Sequence, residues 1–184
     1  MARTPSNMLA LGTKAPDFKL QDTVSDEFLT LNQVTGEKGT VVMFICNHCP
    51  FVIHVNPELT RVAEEYGKQG IGFVAISSND VENYPQDGPD LMKVKAKEEG
   101  YPFPYLYDET QDVAKAYDAA CTPDFYLFNA NQELVYRGQL DDSRPGNGLP
   151  LNGKDLRDAL TALLTETPIS EMQKPSIGCN IKWK

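Results

Sequence analysis

The sequence predicts an α/β domain with a central mixed sheet flanked by helices, on three observations. Two continuous apolar runs, Thr40–Ile45 and Ile71–Ile76, read as buried strands. Between them Val52, Val55, Leu59, Val62, Ala63 and Tyr66 recur at helical spacing, so the unit is strand–helix–strand with a parallel pair. Further on, Phe125–Phe128 and Leu134–Arg137 flank Asn129-Ala130-Asn131-Gln132, a turn by composition, which adds an antiparallel hairpin.

In chain order, residues 1–11 read as a loose lead-in. Phe18-Lys19-Leu20 and Phe28-Leu29-Thr30-Leu31 are short strands of a first hairpin, and Thr40–Ile45 is the central strand. A helix opens near Phe51. Pro57 inside it lacks an N–H and predicts a kink or a restart, and Gly67 and Gly70 close it. Ser78–Pro89 is a long polar loop. A helix over about Asp90–Glu99 follows, then a strand at Tyr105–Tyr107 and a short helix at Val113–Tyr117. After the second hairpin comes another long loop, Gly138–Gly153. Leu156, Leu160, Leu163 and Leu164 mark the last helix, and Thr167–Lys184 is a tail without periodicity. One domain over residues 12–166 accounts for all the patterned segments.

The chain has 184 residues, 41% of them hydrophobic, enough for one domain with a full core. Its net charge of −9 argues against nucleic acid and against an anionic membrane surface as partners. No segment is apolar for long enough to span a bilayer, and Met1–Lys14 carries no signal-peptide run. Four cysteines are too few for a disulfide scaffold. The expected compartment is therefore a reducing cytoplasm, where a Cys-x-x-Cys pair is catalytic or metal-binding.

Such a pair stands at Cys46-Asn47-His48-Cys49, between the central strand and the helix, with Pro50 directly after. Main-chain N–H groups at a helix start have no intrahelical partner, and with the helix dipole they stabilise a thiolate. The expectation is that Cys46 is the exposed, low-pKa nucleophile, that Cys49 lies one turn on as the partner of a disulfide, and that His48 favours the Cys46 thiolate. In open α/β sheets the active cleft lies at the carboxyl ends of the parallel strands. Ser78–Pro89 follows the second such strand and is expected beside the cysteines. His54 falls opposite the apolar stripe and reads as a surface residue. Asp80 with Asp87 and Asp90 does not match a calcium loop, and Asp141-Asp142 and the acidic residues of the helices read as solvated surface.

Four segments resemble the thioredoxin superfamily, in the branch shared with the alkyl hydroperoxide reductase/thiol-specific antioxidant (peroxiredoxin-like) proteins. They are Gly12-Thr13-Lys14-Ala15-Pro16-Asp17-Phe18, Val41–Pro50 with the cysteine pair, Thr122–Phe128 and Asn131–Gly138. The resemblance covers about residues 9–166. It implies a thioredoxin-like fold with a C-terminal tail, Cys46 as the attacking thiol, Cys49 as the resolving one, and a cis-Pro123 that shapes the groove for substrate backbone. The sequence departs from that pattern in places. Ile45 stands where thioredoxins carry Trp, Thr40 where they carry a buried Asp, and Asn-His replaces the Gly-Pro dipeptide. With Cys49 aligned to a peroxidatic cysteine, Val42 and Cys46 stand at the Pro and Thr positions that bind peroxide.

The expected activity is thiol–disulfide exchange by a Cys46/Cys49 couple through a mixed disulfide, with a protein or small-molecule disulfide as substrate and a separate reductant. No cofactor is called for. A peroxiredoxin-like, antioxidant peroxidase is the enzymatic alternative. A copper-binding protein that uses Cys46, Cys49 and a histidine is the alternative from another class. Cys121, two residues before Pro123, is either a further exchange thiol or a small buried residue. Cys179 could return from the tail as an accessory thiol, and Trp183 is expected to anchor that tail by packing.

Overall fold

The computed structural model describes residues 3–184, so residues 1 and 2 of the lead-in lie outside the described residues. In chain order the elements are β1 (Thr4–Pro5), β2 (Lys19–Asp22), β3 (Phe28–Thr30), α1 (Leu31–Val34), β4 (Gly39–Phe44), α2 (Pro50–Gly67) and β5 (Ile71–Ser77). They continue with α3 (Pro89–Glu99), β6 (Tyr105–Tyr107), α4 (Asp112–Ala116), β7 (Cys121–Thr122), β8 (Asp124–Asn129), β9 (Leu134–Gly138), α5 (Lys154–Leu164) and β10 (Ile177–Asn180).

Seven strands form one mixed sheet in the order β3-β2-β6-β5-β4-β8-β9. β4 runs parallel to β5 and β5 parallel to β6, while β8 pairs antiparallel with β4 and β9 with β8. β4 lies inside the sheet, and its side chains alternate between two cores. Val41 and Met43 face one with α2 and α5, and Val42 and Phe44 face the other with Tyr117 and Tyr126. A strand buried on both faces has to be apolar throughout, which is why Val41–Phe44 shows no polar alternation. This is a thioredoxin-like arrangement, as the resemblance implied.

α2 begins at Pro50, the first-turn position to which proline is suited, with Cys49 as its N-cap. It runs unbroken to Gly67 through Pro57, so the expected restart does not occur. Packing of its buried face, including Val55, Leu59 and Val62, outweighs the one intrahelical bond that a proline forfeits.

Neither the described part of the lead-in nor the tail is irregular throughout. β10 pairs antiparallel with β1 and with β7, in a second sheet of order β1-β10-β7. Lead-in and tail, both expected to be irregular, thus hold each other. Ile181, 1% exposed, anchors the tail in the core; Trp183, the expected anchor, is 43% exposed.

Candidate active site

β4 delivers the cysteine pair. Ile45 extends the strand by donating its N–H to the Ile76 carbonyl at 3.0 Å, and the chain then turns into α2. Cys46 is 2% exposed and Cys49 is fully buried. The expected exposed nucleophile is therefore a nearly covered one.

Thr122 faces both sulfurs from the start of the next segment. Its Oγ1 lies 3.5 Å from Cys46 Sγ, and its carbonyl oxygen lies 3.2 Å from Cys49 Sγ. The Thr122–Pro123 peptide bond is cis. The cis-proline segment is thus brought to the cysteine pair.

The charge distribution reverses the expectation from the sequence. Cys46 is pushed well above the ordinary thiol range, first because its thiol donates to Cys49, then by burial and by the negative charge of Asp87. Cys49 is lowered to about 5, chiefly because it accepts that bond; burial opposes the shift. It also accepts from the Cys179 thiol and from the main-chain N–H groups of Val52 and Cys179. The Thr122 carbonyl accepts only from the protonated Cys49 and so works against these donors. The main reason is the proton held between the two sulfurs, with the Cys179 thiol next; the Val52 N–H of the first turn adds a smaller share.

His48 is tied down by the loop that follows β5. Its Nδ1 lies 2.6 Å from Asp87 Oδ2, and its ring stacks on Tyr84 with centroids 5.7 Å apart. Asp87 is fully buried. It accepts from the main-chain N–H of Asn47 at 2.8 Å, that of His48 at 3.3 Å, and Asn79 Nδ2 at 2.9 Å. Asn47 is pinned further by donating to the Gln86 carbonyl and accepting from the Tyr105 hydroxyl. The loop Ser78–Pro89 therefore lies on the cysteine side, as topology required. Asp87 is its anchor, a role that the sequence reading did not assign to it. The available signal was its place in a loop after a strand parallel to β4.

Cys46, His48 and Asp87 offer donor atoms within 4.8 Å of one another, the one such group among the described residues. The Asp87 oxygens are already shared among four protein donors, so a cation there would compete with the loop's own anchoring bonds.

The other singled-out residues fall as follows. His54 is not a plain surface residue; its Nε2 lies 2.7 Å from Ser143 Oγ and ties α2 to the loop Gly138–Gly153. Cys121 is fully buried, 3.8 Å from the Pro123 carbonyl, and its pKa is driven up by burial and then by Asp124. Cys179 lies against Cys49. Among the described residues no helix is long and apolar enough to cross a membrane.

Comparison with known proteins agrees with this geometry. An uncharacterized conserved protein of Geobacillus kaustophilus has a crystal structure that superposes with a TM-score of 0.98 at 59% identity, covering 100% of this chain and 97% of that one. A thiol-disulfide oxidoreductase ResA of Halalkalibacterium halodurans is 28% identical over 124 residues, which are 67% of this chain and 65% of that protein. The chain thus spans just under two thirds of that relative's length. The thioredoxin domain of a thiol-disulfide oxidoreductase from Bacteroides vulgatus shares the fold at a TM-score of 0.61 and 20% identity, covering 82% of this chain and 99% of that domain. The sequence model of the AhpC/TSA family matches residues 11–137, a stretch that holds both strands of the parallel pair, the two thiols and the cis-proline, and the chain belongs to that family.

Proposed function

We propose that this protein is a thiol–disulfide oxidoreductase whose couple is Cys46/Cys49. The observation that carries the reading is the hydrogen-bonded thiol pair at the strand-to-helix junction, with both sulfurs against Thr122 of the cis-proline segment.

The chemistry follows from the proton already shared between the two sulfurs. In the reduced state Cys46 holds it and Cys49 is the thiolate. Cys46, the less completely buried of the two residues, attacks a substrate disulfide R–S–S–R′. The Cys46–S–S–R bond forms, R′S⁻ leaves, and the Cys46 proton passes to Cys49. Cys49 returns that proton to R′S⁻ through solvent and attacks the Cys46 sulfur. The Cys46–Cys49 disulfide forms, and RS⁻ leaves and takes a proton from solvent. The substrate gains two electrons and the protein loses two. A separate dithiol reductant reverses the last steps.

Glutathione disulfide added to the reduced Cys49→Ser variant tests the assignment. Peptide mass spectrometry is expected to find glutathione on Cys46, while the native protein ends as the intramolecular disulfide. Absence of any adduct on Cys46, with none of the native protein oxidised, overturns the reading.

One observation favours a second reading. A thiolate at a helix N-cap is also the arrangement that attacks peroxide, and here Cys49 holds that place. Consumption of hydrogen peroxide by the native protein, lost in Cys49→Ser, separates this reading from exchange alone.

A further inference from the structure

β10 lies where an extended chain beside the cis-proline would lie. Cys179 is in register with Thr122 and Asn180 with Cys121, so the tail forms an antiparallel pair with the residue that faces both active sulfurs. The fit is close. A Cβ built on Gly178 would sit 1.9 Å from the Thr122 carbonyl oxygen, so only glycine lets the strand pass there.

The strand is fastened on both sides of Cys179. Before it, Ser176 Oγ donates to the Pro123 carbonyl at 2.5 Å. After it, the Lys182 N–H donates to Asn79 Oδ1 at 2.9 Å, and the Lys182 carbonyl accepts from the Asp80 N–H at 2.8 Å and from Gln111 Nε2 at 2.8 Å. Between these anchors Cys179, 4% exposed, directs its thiol and its N–H at Cys49 Sγ. Cys49 is thus flanked by two thiols, one from the turn between β4 and α2 and one from the tail.

We propose that Cys179 is the third thiol of the couple, to which the disulfide passes from Cys46–Cys49 as Cys49–Cys179. The proposal rests on the exchange reading above. The step is an isomerisation. Cys179 attacks Cys49 Sγ, the Cys49–Cys179 bond forms and the Cys46–Cys49 bond breaks. Cys46 leaves as a thiolate and takes the proton that Cys179 gave up. No electrons enter or leave. The tail then behaves as a built-in substrate, and the oxidised form is the one in which β10 is covalently fastened over the site. Cys121 takes no part. It is the next residue along β7 from the sulfur-facing Thr122, and the side chain of a neighbouring strand position points the other way.

The test oxidises native protein with one equivalent of glutathione disulfide, quenches with acid, alkylates in denaturant and maps the peptides. The expected result is two linkages, Cys46–Cys49 within one segment and Cys49–Cys179 joining that segment to the tail, with Cys46 alkylated in the second. Cys46→Ser is expected to form Cys49–Cys179 directly. Oxidised native protein in which Cys179 is always alkylated overturns the proposal and leaves the exchange reading standing. Native protein in which Cys46 and Cys49 are always alkylated overturns both.

Discussion

Asp87 offers the sharpest test of how the site is held. Asp87→Ala removes a fully buried acceptor from four donors: two main-chain N–H groups, the buried Asn79 amide and His48 Nδ1. A buried donor left without a partner costs roughly 1–3 kcal/mol. Taking the lower bound for the two N–H groups and Asn79 gives about 3 kcal/mol, out of a total stability of about 5–15 kcal/mol. For a chain of this length each kcal/mol moves Tm by about 2–4 °C, so Tm is expected to fall by about 6–12 °C. Asp87→Asn separates the bonds from the charge. Its amide oxygen can still accept from the two N–H groups, so stability partly returns, but the negative charge that raises Cys46 is gone. Both variants are therefore expected to lower the Cys46 pKa, read from the pH dependence of its alkylation. An unchanged Cys46 profile in Asp87→Asn, or a Tm within about 2 °C of native in Asp87→Ala, would refute the assigned role.

Further outcomes concern pH and the tail. The fold stabilises the Cys49 thiolate, so that contribution is full above the ordinary thiol value of about 8.5 and is lost as pH falls through about 5. Reduced native protein should lose stability relative to Cys49→Ser over that window, and a pH-independent difference contradicts the thiolate assignment. Asp124, fully buried and hydrogen bonded to Ser6 and Tyr126, is raised to about 7 by burial. Its contribution is full below about 3.9 and is lost as pH rises through about 7, so Asp124→Asn should remove a loss of stability that melting curves of the native protein show there. Gly178→Ala should push β10 off Thr122 and speed alkylation of the Cys46/Cys49 pair by iodoacetamide, and a native rate would mean that the tail is not the cover.

The sheet and its helices could be read from the chain because burial writes itself into side chains. Val41–Ile45 and Ile71–Ile76 have to be apolar, and Val52 to Tyr66 have to recur at helical spacing. β1 and β10 could not be read this way. Thr4–Pro5 and Ile177–Asn180 are too short for a period, one holds a proline and the other a glycine, and the ladder that makes them strands comes from residues far off in sequence. The cysteine pair was plain, but which sulfur carries the charge turns on the bond between the two thiols and on Cys179 from the distant tail, contacts that exist only in the fold. Pro50 marked Cys49 as the helix cap, since proline is suited to the first helical position. Asp87 could not be told from the surface acids around it, because its burial comes from the fold and not from its neighbours in sequence.

The β1-β10-β7 sheet joins Thr4–Pro5 to Ile177–Asn180, and this sets an order on synthesis. The ribosome finishes β4, α2 and the cis-proline segment well before Ile177–Asn180 emerge. A nascent chain therefore carries its two thiols without their cover, open to any oxidant or mixed-disulfide partner it meets. The site closes only once Ile177–Asn180 have joined the sheet, and a product cut short before them would leave both sulfurs without that strand.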